Sequence, residues 1–426
     1  MSQQVIFTGA NLFTGIDESV IKNGTIWLDG EHIKYAGPAD GLIGVDASIK
    51  CVELKGQFVM PGMTECHAHL SFTDANPFNL GAQSPEEATL TGIRNARMML
   101  GSGFTSAISF GSIHKVDLAL RSAINSGSIP GPRLAAAGKD LGATGSTVDS
   151  GVFDGLAHVA DGPWAVRKAV REQRRDTVDI VKIFIDGEGV CEHATQHELS
   201  FQDDEVAAIV DEAHRHGMRV ACHSRSAAGV KQAVRSGVDF IAHANFLDEE
   251  AADMLYAARD HVYVAPSIIW ELGLIEQCES LGLSSDWVKQ RGYEEEVEAS
   301  IKSVRMMLDR DIRLMVGGDF GISVAPHGTY AKDLEVFVDT FGMSAEKALL
   351  CATRDGGSAF DRSNMVGTLE AGKYADLLII DGDPIENIKV MQEHSKFSAI
   401  IKGGLIYQGL INDADFTISP DRILSS

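Results

Sequence analysis

The 426-residue sequence predicts an α/β fold: a (β/α)8 barrel over residues 58–362, flanked by a small β-sandwich built from both termini, 1–57 and 363–426. Three observations predict it. Short apolar runs alternate with helical stretches through the middle of the chain, the pattern of parallel strands joined by crossover helices. Both ends consist of β-branched runs separated by turns. Polar residues recur where the apolar runs of the middle finish, the end of a barrel strand at which such folds keep their chemistry.

In chain order, Gln4–Thr8, Gly24–Leu28, His32–Ala36 and Ser48–Leu54 read as strands, with Asp29-Gly30 as a turn signal. Ala375–Asp381 and Phe397–Tyr407 read the same way and supply the other part of the sandwich. Between them, Pro85–Ser102 and Asp203–His216 carry helical patterns. They alternate with apolar runs beginning at Thr105, Ile180, Arg219, Phe240, Val262 and Leu314. A doubly wound sheet is the competing reading, but no G-x-G-x-x-G opens a helix after a first strand.

Hydrophobic residues at 44% and charged residues at 23% describe an ordinary globular chain with ample core. The formal charge of −23 argues against nucleic acid or an anionic membrane as partner. The expected partners are a small-molecule substrate and further copies of the chain in a homo-oligomer. Six scattered cysteines without a C-x-x-C fit a reduced, cytoplasmic protein. No signal peptide and no membrane-spanning run is read.

The stretch Phe58–Leu70 ends on His67 and His69. On a strand, residues two apart share a face, so both imidazoles aim into one space, as a divalent transition metal requires. His223, His243 and Asp319 close later apolar runs. Lys182 lies inside the otherwise apolar run from Ile180 to Ile185. A buried ammonium there loses hydration, which favours the neutral amine. Such an amine can form a Schiff base or react with CO2 to give a carbamate, and the carbamate has oxygens enough to bridge two metal ions. Pairing of Lys182 with Asp179 or Asp186 is the plain alternative. His193 and His197 read as a solvated loop, and His214 and His216 as C-terminal partners of a helix dipole. His327, close after Asp319, is a candidate for the pocket.

These motifs together resemble the metal-dependent amidohydrolase superfamily. They are Met60-Pro-Gly-Met-Thr-Glu-Cys-His-Ala-His69, Ile180-Val-Lys-Ile183, His223, Gly237–His243, Gly317-Gly-Asp319 with Pro326-His-Gly328, and Gly367–Leu377. The likeness spans the chain and points to the branch of imidazolonepropionase-like proteins and metal-dependent Xaa-Pro dipeptidases. It implies two divalent metal ions, zinc being the usual choice. His67, His69 and Asp319 would hold one ion and His223 and His243 the other, with carbamylated Lys182 as the bridge. It further implies amide-bond cleavage by a hydroxide between the metals, with Asp319 as the proton shuttle.

Two departures bear on the substrate. Arg225 stands where the dipeptidases carry histidine or tyrosine, and it either grips a substrate carboxylate or pairs with an acidic neighbour. Thr147 replaces the histidine of a Thr-Gly-Gly-His loop, as a weaker polariser of the substrate carbonyl. The function expected is hydrolysis of a small carboxylate-bearing amide, such as a dipeptide or N-acyl amino acid. A lactonase or carbamate hydrolase would use the same metal centre. A deaminase fits less well, lacking use for Lys182, and a non-enzymatic scaffold would not need every ligand.

Overall fold

The computed structural model describes residues 4–75, 77–151, 155–408 and 417–419. The amino-terminal strands β1 (Gln4–Phe13), β2 (Val20–Asp29), β3 (His32–Pro38), β4 (Lys50–Glu53) and β5 (Phe58–Pro61) come first. The chain then enters the barrel through β6 (Met63–Ala68), β7 (Phe104–Ser109) and β8 (Arg133–Ala135). Two short strands, β9 (Asp140–Gly142) and β10 (Ala157–Val159), lead to β11 (Ile180–Phe184), β12 (Arg219–Ser226), β13 (Phe240–Phe246) and β14 (Tyr263–Ala265).

Helices fill the intervals. These are α1 (Pro85–Gly101), α2 (Val116–Asn125), α3 (Pro163–Arg175), α4 (Asp203–Arg215), α5 (Ala227–Ser236), α6 (Glu249–Ala258), α7 (Ile269–Gln277), α8 (Ser285–Gln290) and α9 (Tyr293–Asp309). Local chemistry sets their starts. Ser84 and Glu87 form a reciprocal capping box around α1, with Pro85 in its first turn. Asp248 accepts the Ala251 N–H at the head of α6.

The barrel strands pair in parallel from β6 through β8 and from β11 through β14. Hydrogen bonds join the two arcs. The Asp179 N–H donates to Ala136 O at 2.8 Å, linking the run after β8 to the start of β11. Residues 314–316 supply the eighth position: the Met315 N–H donates to Val264 O, and the Cys66 N–H donates to Val316 O. The third strand, β8, had no strong sequence signal, because three residues give periodicity little to act on.

After the barrel the chain returns through β15 (Leu377–Ile380), β16 (Phe397–Lys402), β17 (Leu405–Gln408) and β18 (Thr417–Ser419). Nine described strands make one sheet, running β18-β17-β16-β15-β5-β1-β2-β3, with β4 beside β1. Phe58–Pro61 belongs to this sheet, paired antiparallel to Leu377–Ile380. The stretch before His67 is therefore two strands divided at Gly62 rather than one. The alternation of side chains divides two cores. Val59, Leu377, Ile379 and Ile401 pack into the terminal sheet's own cluster. Phe58, Met60, Leu378, Ile380 and Ile400 pack against the barrel.

The six cysteines are unpaired, Cys51 exposed and the others buried. Among the described residues no helix is long and apolar enough to cross a membrane.

Candidate active site

His67 near the end of β6 and His69 just past it bring their rings together, with centroids 5.1 Å apart. His67 lies 5.3 Å from His243, and His243 lies 4.4 Å from His223. The four imidazoles thus form a continuous cluster across the mouth of the barrel. His67 and His69 each turn Nε2 toward Asp319 Oδ1, at 3.7 and 3.2 Å.

Their other nitrogens fix the tautomers. His69 Nδ1 lies 3.1 Å from Gly111 O, which can only accept, so Nδ1 carries the proton. Ser267 Oγ donates to Gly317 O and sits 3.1 Å from His67 Nδ1, which therefore donates to it. Both Nε2 lone pairs are left for the site. Gly317 is required here, because a Cβ would lie 2.9 Å from the His67 backbone nitrogen. His243 and Asp319 have left-handed backbones, φ 77° and 59°. Each such residue costs of order 1–3 kcal/mol, a strain typical of residues held for function.

Burial pushes His67, His223 and His243 well below the ordinary histidine range, so these rings are neutral and can act as ligands. For Asp319, burial pushes the carboxyl up while His67, His69 and Lys182 pull it down; the pull wins and the group is ionised. His243 is 1% exposed, and neither of its ring nitrogens has a hydrogen-bond partner. One of these nitrogens carries a lone pair beside His67, Asp319 and His223 that a metal would satisfy. Two groups have donor atoms within 4.8 Å of one another: His67, His243 and Asp319, and Glu188, His223 and His243. The donor set fits divalent transition metals.

Lys182 is buried, with Nζ 4.7 Å from the Phe184 ring and 5.2 Å from Phe110. Burial lowers its pKa. It pairs with neither suggested aspartate. Asp179 accepts from Arg121 and from the Ala136 N–H, while Asp186 accepts the backbone N–H groups of Arg225 and Ser226 and both neighbouring serine hydroxyls.

Two sequence candidates sit differently from the pocket roles expected of them. Arg225 has a wholly buried guanidinium bonded to Glu188, Glu271 and Glu296. The acidic-neighbour alternative describes it, since three carboxylates already take the charge meant for a substrate. His327 has both ring nitrogens engaged, with Tyr330 Oη at 2.6 Å and Phe72 O at 3.1 Å. It braces the loop whose Phe72 ring stacks on His69, centroids 4.4 Å apart. Thr147 is buried with an unpartnered Oγ1, and its carbonyl lies 4.0 Å from Cys191 Sγ.

His193 and His197 are exposed, as read from the sequence. His214 and His216 close α4 through Asp239 and Glu212. Glu188, Glu271 and Glu296 were missed. Burial pushes Glu188 up to about 7 and Glu271 up to about 8 despite Arg225. Position alone could have flagged Glu188, four residues beyond the end of β11.

The chain is 27% identical to an ochratoxinase of Aspergillus niger over 375 residues, 82% of this chain and 76% of the relative. It is 23% identical to an imidazolonepropionase of Geobacillus kaustophilus, across 93% of this chain and 92% of that one. Among solved structures, a Xaa-Pro dipeptidase with methionine bound in its active site superposes with a TM-score of 0.82. That match is 28% identical and covers 95% of this chain and 99% of the other. The amidohydrolase family profile matches residues 58–412. With this profile covering barrel and returning strands alike, the chain belongs to the amidohydrolase family and is a hydrolytic enzyme acting on carbon–nitrogen bonds.

Proposed function

We propose that the protein is a binuclear metal-dependent hydrolase of small amides that carry a carboxylate, such as dipeptides or N-acyl amino acids. The observation that carries the metal reading is the cluster of four histidines around ionised Asp319, with both His243 nitrogens buried and unpartnered. The substrate reading is supported by the likeness to a dipeptidase holding an amino acid; Arg225 no longer contributes to it.

His67, His69 and Asp319 would hold one ion, and His223 and His243 the other. Lys182 reaches the same space from β11 and, as a carbamate, would join the two sites. Divalent ions bound there supply Lewis acidity and make water a nucleophile at neutral pH. The chain's own contribution is positional and protonic. Ser267 and Gly111 hold His67 and His69 in one tautomer. The ionised Asp319 carboxylate takes the proton of the attacking water and returns it to the leaving nitrogen. Phe184 and Phe110 exclude water from Lys182, which lowers its pKa and so favours the neutral amine that captures CO2.

Metal quantification on Lys182→Ala, with and without short carboxylic acids, tests the bridge. The variant is expected to lose the second ion and activity, and to recover part of both when the acid is added. Two ions and full activity without rescue would remove Lys182 from the site. A panel of dipeptides, N-acyl amino acids, aryl amides and lactones tests the substrate class, and preference for a lactone would overturn the amide reading.

A further inference from the structure

We propose that Glu188 is an additional protein ligand of the metal held by His223 and His243, oriented for that role by Arg225. The inference rests on the metal reading above and assigns a residue to it.

Glu188 follows β11 in the loop Asp186-Gly187-Glu188, and its side chain returns toward the end of β12. Its Oε1 lies 3.8 Å from His223 Nε2, and a Glu188 oxygen shares a 4.8 Å neighbourhood with nitrogens of both His223 and His243. All three residues are buried. His223 Nε2 faces Gly187 O at 3.3 Å, and both nitrogens of His243 are unpartnered. Glu188 Oε2 is likewise buried without a partner. Ligand atoms left unsatisfied in one place are the mark of an ion that would satisfy them together.

Charge points the same way. Among the described residues Arg225 is the one guanidinium facing Glu188, Glu271 and Glu296, all of them buried. One guanidinium is shared among these three buried carboxyl groups. Buried charges without counter-charge are costly. Glu271 and Glu296 lie on α7 and α9 and hold the guanidinium from behind. Of the three, only Glu188 also reaches the histidines. A divalent cation at His223 and His243 adds positive charge at the one carboxylate of the three able to meet it. Arg225 is then a positioning residue: bonded to Glu188 through Nη2, it fixes the carboxylate at the rim of the ion's site.

The test is metal binding by the full-length protein, with Zn2+ titrated against a competing chelator and Co2+ followed by its visible absorbance. Glu188→Gln is expected to keep the first ion at wild-type affinity and bind the second at least about tenfold more weakly. Its Co2+ band should change in intensity as the coordination changes. Glu296→Gln, which removes a carboxylate of the same cluster beyond reach of the histidines, is expected to leave the Co2+ spectrum unchanged. If circular dichroism shows that Glu188→Gln does not fold, Glu188→Asp is used, with the same weakening expected from its shorter reach. Wild-type affinity and spectrum in the Glu188 variant would overturn the assignment, as would an equal spectral change in Glu296→Gln. A wild-type protein that takes fewer than two ions would instead overturn the binuclear reading itself.

Discussion

Phe184 lies almost flat on His223, ring centroids 4.4 Å apart and planes 10° from parallel. The two residues are in register across β11 and β12. Lys182, two residues earlier on the same face, places Nζ against that ring too. One aromatic side chain therefore steadies two candidate metal-site residues. Phe184→Leu is expected to lower unfolding stability by about 1 kcal/mol, the worth of ring contacts. Phe184→Ala should lose about 3 kcal/mol or more, the scale of a core cavity. Equal losses in urea titrations of the two variants would show that the ring's face, not its volume, matters.

Asp319→Asn is expected to fold with near-native thermal stability while turnover falls at least ~100-fold, the scale of lost acid–base catalysis. Asparagine fills the same space between His67 and His69 but cannot carry a proton. A variant with normal metal content and near-normal kcat would take Asp319 out of the proton transfer.

Arg225→Leu leaves three buried glutamates without their guanidinium. Breaking one side of a buried ion cluster costs about 3–5 kcal/mol, so a large fall in urea midpoint is expected. Hydrolysis of carboxylate substrates and of their neutral amides should decline together. A selective rise in KM for the charged substrates would instead restore Arg225 as a substrate contact.

Burial pushes Asp333 up to about 7, and the Gly317 N–H that it accepts only partly offsets this. Buried Glu65 on β6 is raised in the same direction by burial and by Asp333. Because the folded-state value lies above the unfolded value near 3.9, the native protein holds more protons than the unfolded chain between about pH 4 and 7. Stability due to this group is thus lost as pH rises through that window, by up to ~4 kcal/mol. Asp333→Asn keeps the acceptor for Gly317 without ionising. Wild type should lose Tm relative to this variant between pH 5 and pH 8, and parallel Tm curves would show that Asp333 does not titrate there.

The sequence made the barrel and the metal-site candidates legible because both follow from short-range rules. His67 and His69 are two apart where a strand ends, and His223, His243 and Asp319 end apolar runs. The glutamate cluster obeys no such rule. Glu271 and Glu296 sit on α7 and α9, where an isolated carboxylate reads as part of a solvated face. Only the folding of those helices over the mouth turns them inward to Arg225. His327 shows the reverse case: its position after Asp319 was readable, but its engagement by Tyr330 and by Phe72 O depends on tertiary contact.

The placement of β5 between β1 and β15 has a consequence for synthesis. Asn11 meets Phe58 early, but the other edge of β5 must wait for Leu377 to reach Pro61. At 5–20 residues per second, that interval is roughly 15–60 s on the ribosome. Throughout it, Phe58–Pro61 presents unpaired backbone with apolar side chains on both faces, a template on which a second nascent chain can add a strand. The enzyme carries that open edge through most of its own translation.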